Sequence, residues 1–166
     1  MKQSIFNYEL LIFIPARSKS KRLKNKNIKT VMGKSLISNA INFSKKIKLK
    51  KYIYLSTDSK LYANSGIKSG AKVPFLRSVK NSKDQSSVNE AIYEFLKKTK
   101  KILQFKYLLL LLPTQPFRKI STFNKVYKKI KGNKVDTVIT VKSLNRTENL
   151  VFNIDNKKLI KKKLRV

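Results

Sequence analysis

Short apolar runs alternate along the chain with segments in which apolar residues recur every three or four positions. The continuous runs have strand length: Leu10–Ile14, Tyr52–Leu55 and Tyr107–Leu112. Such runs are typical of strands buried on both faces. The helical spacing begins near Ser35, at Leu61, at Ser87 or Val88, and at Ile120. This order predicts a three-layer α/β/α fold with a mainly parallel sheet, and we expect residues 1–166 to form a single domain.

The most apolar run, Tyr107–Leu112, is predicted to be the central strand of the sheet. Asp136–Val141 is predicted to be a further strand. A hairpin is predicted between Glu148–Ile154 and Leu159–Ile160, because Asp155-Asn156 between them suits a turn.

The loop after the first apolar run is dense in groups that bind phosphate. It carries Arg17, Ser20, Lys21, Lys26 and Asn27 within a short stretch. Arginine grips phosphate through a planar fork, lysine supplies a point charge, and hydroxyl, amide and backbone N–H groups fill the remaining acceptors. Open α/β folds bind ligands at the carboxyl ends of their strands. The loop therefore predicts a polyphosphate cradle, with a solvated basic segment as the alternative.

The composition narrows the chemistry that is available. Lys and Arg number 40 against 8 acidic residues, a formal charge of +32, and Cys and His are absent. Thiolate and imidazole chemistry are therefore excluded for this chain. The high positive charge favours non-specific binding to polyanions, and a basic nucleic-acid-binding module is one alternative function. The cations are mostly Lys and spread along the whole length, however, which favours a solvated basic surface.

The apolar runs also bear on membrane association and location. None reaches 18 residues, so no transmembrane helix is expected. The N-terminus lacks the long apolar core and small-residue cleavage site of a signal peptide. We therefore expect a cytoplasmic protein with no membrane partner.

The loop also carries a family resemblance. IPARSKSKRLKNKNIK, followed by GKSLI, resembles the N-terminal signature of the CMP–sialic acid synthetases, A-R-x-x-S-K-x-x-x-x-K-N. Residues at the matching spacings are Ala16, Arg17, Ser20, Lys21, Lys26 and Asn27. Ser56-Thr57-Asp58, the V-P-F-L-R segment ending at Arg77, and a P-T-x-P-x-R frame ending at Arg118 also match the family. Within that frame, Leu112 and Gln115 stand where the family has Gln and Ser.

The resemblance implies a Rossmann-like nucleotidyltransferase fold and a reaction of CTP with a sialic-type (nonulosonic) acid to give the CMP-sugar and pyrophosphate. Arg17 and Lys26 are then the expected catalytic residues, which hold the phosphates. The nucleotide-binding set implied is Ala16, Arg17, Ser20, Lys21, Lys26, Asn27 and Arg77, with Arg77 beside the cytidine. Gln115 and Arg118 are the expected contacts to the acid substrate. For Arg118 the alternative is a local role, in which it caps the next helix and pairs with nearby groups.

The resemblance further implies Mg²⁺, a possible homodimer, and a family domain that continues beyond the matched part, so the chain is expected to be incomplete at its C-terminus. No two of the eight acidic residues form a metal-binding pair by spacing, so no metal ligand is predicted. Asp58 is interpreted as a helix N-cap, and Glu90 and Glu94 as partners of a helix dipole.

Several functional alternatives stay open at this point. Sialic, legionaminic and pseudaminic acids are not distinguished as substrates. A deoxy-octulosonic acid is disfavoured, because that branch of the family carries an acidic Q-G-D-E-P where this chain has the P-T-x-P-x-R frame. A truncated remnant that binds nucleotide without turnover is the remaining alternative within the family.

Overall fold

The computed structural model describes residues 6–19, 23–82, 85–132 and 135–141, together with the strand backbone of 152–155 and 158–161. The chain divides into two compact units, Met1–Thr122 and Phe123–Val166. In chain order, the elements of the first unit are β1 (Phe6–Pro15), β2 (Thr30–Val31), β3 (Lys34–Ser35), α1 (Leu36–Lys45), β4 (Lys51–Ser56), α2 (Lys60–Ser69), α3 (Val88–Thr99) and β5 (Leu103–Leu110). Helix α4 (Ile120–Gly132) follows.

A parallel sheet in the order β4-β1-β5 forms the centre of the first unit. Leu10 of β1 pairs with Lys51 on one side and with Tyr107 on the other. Strands β2 and β3 form a separate antiparallel hairpin. Helices connect the three parallel strands, so the predicted α/β class with a parallel sheet is confirmed.

Two details of the predicted sheet were wrong. Among the described strands β1 is central, whereas β5 lies at an edge and exposes alternate residues, including Leu108 and Leu110. A long apolar run identifies a strand, but it does not reveal how many neighbours the strand has. Strand β1 also begins earlier than Leu10, at Phe6.

The alternation of side chains along β1 assigns the helices to two layers. Leu11 and Phe13 are fully buried in one cluster with Ala91 and Phe95 of α3. On β4, Tyr54 belongs to the same cluster, so the next residue, Leu55, lies on the opposite face of the sheet. The backbone of α2 approaches Leu55 on that face, and α1 packs against α2. The sheet therefore lies between α3 on one face and α1 with α2 on the other.

Serine residues start the first three helices. The side chains of Ser35, Ser59 and Ser87 each accept a hydrogen bond from the backbone N–H three residues later. The carboxylate of Glu90 accepts a hydrogen bond from the backbone N–H of Ser87, which completes a capping box. These caps satisfy N–H groups that the helix cannot pair internally, and they place an acid in the first turn of α3 as predicted.

Helix α2 crosses the sheet at very close range through a glycine. A Cβ added to Gly66 would lie 2.3 Å from Cδ2 of Leu55, a fully buried side chain. Gly66→Ala should therefore force α2 away from β4 and lower the free energy of unfolding by about 1–3 kcal/mol. Urea denaturation of the variant measures this loss. Gly132→Ala, where nothing lies within 4 Å of the added Cβ, is the control; equal stability of both variants would contradict the close packing.

The second unit contains most of α4 and a two-stranded antiparallel sheet, β6 (Phe152–Asp155) and β7 (Lys158–Lys161). The strand pair agrees with the predicted hairpin, whose turn lies outside the described residues. The predicted strand Asp136–Val141 was wrong, because these residues are irregular. Apolar alternation favours a strand, but a strand forms only where a neighbouring edge pairs with it. No described helix is long and apolar enough to cross a bilayer.

Candidate functional site

The turn that follows β1 is held between the ends of both neighbouring strands. Ala16 is fully buried, and its N–H donates to the carbonyl of Ser56 at the end of β4, 2.8 Å away. On the other side, the N–H of Leu111 donates to the carbonyl of Phe13 at 3.0 Å. The helices that follow β1 and precede β5 lie on opposite faces, so this edge is a topological switch point of the kind where α/β sheets bind ligands.

Asn27 fixes the backbone of Arg17 from within the same loop. The amide of Asn27 is 6% exposed, and its Nδ2 donates to the carbonyl of Arg17 at 3.0 Å. Asn27 belongs to a short 3-10 turn that begins at Lys26, which is half-buried. Asn25 precedes the turn in a left-handed conformation, and its Oδ1 accepts from the buried hydroxyl of Tyr62 at 3.4 Å. Three of the predicted residues, Arg17, Lys26 and Asn27, thus come together in one ordered turn.

Asp58 joins this turn to the end of β4. Its Oδ1 accepts from the N–H of Ser18 at 2.7 Å, and its Oδ2 accepts from the Ser18 hydroxyl at 2.8 Å. The helix cap of α2 is Ser59. The interpretation of Asp58 as an N-cap was therefore wrong, because a contact across 40 residues of sequence takes both of its oxygens.

Arg77 supports the same end of β4 through hydrogen bonds. Its guanidinium is buried, with Nε donating to Oγ of Ser56 at 3.0 Å and Nη2 donating to the Ser56 carbonyl at 2.8 Å. The backbone N–H of Arg77 donates to the carbonyl of Thr57. Burial lowers the pKa of Arg77, an effect opposed by the nearby carboxylate of Asp58 and increased by Arg17. Arg77 is thus close to the cationic turn, and its expected contact with a cytidine stays a prediction.

The loop after β5 carries the two residues expected to contact an acid substrate. Gln115 is exposed, and its N–H donates to the carbonyl of Leu112. The guanidinium of Arg118 donates through Nη2 to the same carbonyl and lies over the ring of Phe43. Its Nη1 is buried without a hydrogen-bond partner among the described residues, and burial lowers the pKa of Arg118.

Two of the predicted residues, Ser20 and Lys21, lie outside the described residues, so their roles stay predictions. The described turn therefore consists of residues 16–19 and 23–28. It lies at the carboxyl edge beside the end of β4, where Asp58 and Arg77 support it.

Glu94 anchors the segment that follows Arg77. Its carboxylate accepts from the N–H and hydroxyl of Ser78, from Nδ2 of Asn81 at 2.7 Å, and from Nζ of Lys98 at 2.8 Å. Burial alone would raise the pKa of Glu94, but the hydrogen bonds from Lys98, Asn81 and Ser78 outweigh it and hold the pKa below its ordinary value. The interpretation of Glu94 as a partner of the helix dipole was wrong, because only Glu90 lies in the first turn of α3, where that interaction acts.

The lowered pKa of Glu94 gives the stability of the fold an acid dependence. The carboxylate is more acidic in the folded chain than in the unfolded chain, so its contribution is complete well above pH 4.5 and is lost as the pH falls through the folded-state pKa. At pH 7, Glu94→Gln should lower the free energy of unfolding by about 1–3 kcal/mol. Urea denaturation between pH 7 and 3 should show this difference shrinking in acid. Glu90→Gln, which keeps a capping box, is the control; a difference independent of pH would contradict the assignment.

The described residues do not fit a resident Mg²⁺. No three acidic, His or Cys residues come together among them. The carboxylates of Asp58, Glu90 and Glu94 already accept hydrogen bonds from protein donors. Both oxygens of Asp58 and of Glu94 are engaged in this way and Glu90 uses one, and no described cluster supplies the several oxygen ligands that a hard divalent cation needs.

The sequence predicted the turn but not the residues that hold it and the neighbouring segment in place. Ser18, Asp58 and Glu94 act through partners that are far along the chain, and no local pattern signals such pairs. The Ser-Thr-Asp triplet after a strand was the one available signal for Asp58, and helix capping explained it equally well.

Comparisons with known proteins connect this geometry to a family. The family described as "Cytidylyltransferase" matches residues 11–164. The chain is 38% identical to a CMP-N,N'-diacetyllegionaminic acid synthase of Legionella pneumophila, over 78% of this chain and 57% of the relative. It is 32% identical to a pseudaminic acid cytidylyltransferase of Campylobacter jejuni, over 74% of this chain and 53% of the relative.

A solved structure shares the fold. A CMP:2-keto-3-deoxy-manno-octonic acid synthetase in complex with CTP superposes with a TM-score of 0.64 and 18% identity, over 75% of this chain and 48% of that one. The chain thus spans about half the length of the relatives it matches.

Proposed function

The chain belongs to the cytidylyltransferase family, as its N-terminal signature indicated, and from this premise we propose that it activates a nonulosonic acid with CTP. The products are the CMP-sugar and pyrophosphate. The observation that carries the proposal is the ordered cationic turn at the switch point of the sheet, where Asn27 and Asp58 together fix the peptide group that directly follows the Cα of Arg17.

The proposed reaction needs little covalent chemistry from the protein. The anomeric hydroxyl of the sugar acid attacks the α-phosphorus of CTP, a new P–O bond forms, the bond to the β-phosphate oxygen breaks, and pyrophosphate leaves. The hydroxyl proton passes to solvent. Catalysis of this kind consists mainly of positioning and of neutralising phosphate charge. Arg17 and Lys26 supply that charge, and Ser20, Lys21 and Asn27 complete the cradle.

Arg118 is the proposed partner of the sugar acid. Its buried Nη1 has no hydrogen-bond partner among the described residues, and a buried guanidinium N–H without a partner is costly. A carboxylate is the acceptor that best suits it, because guanidinium and carboxylate match in charge and geometry. Gln115, on the same loop, is exposed at the surface where the sugar would approach.

Other expectations belong to the proposal as well. We propose that residues 1–166 act as a single domain, that the protein is cytoplasmic, and that it forms a homodimer. The family resemblance also implies Mg²⁺, but since the described carboxylates do not fit it we derive no step through this ion.

Pyrophosphate release tests the proposal. The full chain is incubated with CTP and, separately, with N-acetylneuraminic, legionaminic, pseudaminic and deoxy-octulosonic acids in a magnesium-containing buffer. The proposal expects release with CTP and one of the first three acids. CTP binding without release under any condition would support the nucleotide-binding remnant. Absence of CTP binding, together with salt-dependent binding to nucleic acid, would overturn the proposal in favour of a nucleic-acid-binding module.

A further inference from the structure

Asp58 places a negative charge next to a turn whose other features attract anions. Both of its oxygens are within 2.8 Å of donors on Ser18. One of those donors is a backbone N–H of the turn itself, which is thereby withheld from any phosphate. An acid in this place opposes phosphate binding by its charge, so a role in that binding has to come from its geometry.

The position of Asp58 is itself rigidly fixed. It follows β4, where the carbonyl of Ser56 accepts from both the N–H of Ala16 and Nη2 of Arg77. The carbonyl of Thr57 accepts from the N–H of Arg77 at 2.7 Å. The nearby guanidinium of Arg77 also balances the Asp58 charge. These backbone contacts at the sheet edge therefore hold the segment that carries Asp58 in place.

The hydrogen bonds of Asp58 act on the residue directly after Arg17. With Asn27 holding the Arg17 carbonyl at 3.0 Å and Asp58 holding Ser18, the backbone is fixed immediately after the Cα of Arg17. Preorganised donors bind an anion more tightly because no conformational freedom is lost on binding. On the basis of the proposed function, we propose that Asp58 is a positioning residue for CTP, which acts through Ser18 to direct Arg17 toward the triphosphate.

Two substitutions at Asp58 separate geometry from charge. In Asp58→Asn the amide oxygen can still accept from the Ser18 N–H, while the amide nitrogen can donate to the Ser18 hydroxyl, so both hydrogen bonds survive with the second one reversed. Asp58→Ala removes both. A residue that acted by binding a cation would lose its role in either variant.

Calorimetric titration with CTP, together with thermal unfolding, tests the inference. We expect CTP affinity to fall about 10- to 100-fold in Asp58→Ala, in line with the loss of two charge-assisted hydrogen bonds. Asp58→Asn should stay within about threefold of the parent protein, because the turn keeps its geometry. Glu90→Gln, which removes an acidic charge elsewhere, is the control and should bind CTP as the parent does.

Three results would overturn the inference. They are unchanged affinity in a folded Asp58→Ala, an equal loss in Asp58→Asn and Asp58→Ala, or full affinity in Ser18→Gly, which lacks the hydroxyl and loosens the backbone. If Asp58→Ala does not fold, the CTP affinities of Asp58→Asn and Ser18→Gly test the inference. A parent protein that does not bind CTP at all would instead refute the proposed function, so the two failures are distinguishable.

Discussion

Arg17→Ala should lower the affinity of the chain for CTP by about 100-fold or more. A guanidinium that donates two hydrogen bonds to a phosphate contributes roughly 3 kcal/mol, since each bond to a charged group is worth about 1.5–3 kcal/mol. Every 1.4 kcal/mol corresponds to about a tenfold change in affinity. Isothermal titration calorimetry with CTP measures the effect.

A neighbouring cation serves as the matched control for Arg17. Lys24 lies in the same turn but is exposed and is not among the residues proposed to hold the phosphates, so Lys24→Ala removes an equal charge without altering the proposed cradle. We expect it to weaken CTP binding only slightly and in a salt-dependent manner. Arg17→Lys should recover part of the affinity, because the charge returns without the fork. An equal loss in the Lys24 and Arg17 variants would mean that the overall basic charge, and not this turn, attracts CTP.

The largest effect on folding is expected from Phe95→Ala. The ring of Phe95 is fully buried, with its centroid 4.1 Å from that of Tyr54, 6.1 Å from that of Phe13 and 6.3 Å from that of Phe75. Removal of a buried Phe costs about 3–5 kcal/mol, since contacts are lost and a cavity remains. Because small domains are stable by only about 5–15 kcal/mol, the variant should be severely destabilised.

Urea denaturation of the variant and of a control on the same helix measures this effect. Tyr93 is 69% exposed, so Tyr93→Ala removes an aromatic ring without opening the core and should change the free energy of unfolding by about 0.5 kcal/mol or less. A loss below about 1 kcal/mol for Phe95→Ala would show that the aromatic cluster between α3 and the sheet does not stabilise the fold.

Local patterns were sufficient to predict most of the elements of the first unit. Strand β4 and helix α1 follow from apolar runs and helical spacing, and helix α3 begins where the same spacing predicted a start, at Ser87 or Val88. The position of β5 at an edge could not be predicted, because strand order is set by pairing across the sheet. The irregular segment 135–141 shows the same limit, since its composition suits a strand but no described strand pairs with it.

In the candidate site, too, features with a local signal were predicted and features that depend on tertiary contacts were not. The spacing from Ala16 to Asn27 located the turn, because a phosphate cradle needs several donors within one loop. Asp58 and Glu94 each had a satisfactory local explanation, a helix cap and a helix dipole. Both were wrong, because the decisive donors, Ser18 and Ser78, are 40 and 16 residues away in sequence. Tertiary contacts at that distance leave no signal in a single sequence.

The central claim is that the turn after β1 binds CTP, and amide chemical shifts of the ¹⁵N-labelled chain during a CTP titration test it most directly. We expect the largest shifts at residues 16–19 and 23–28, with smaller ones at Asp58 and Arg77. Phe105, on the outer strand, should not shift. Saturating shifts confined to other parts of the chain, or none at all at millimolar CTP, would contradict the claim.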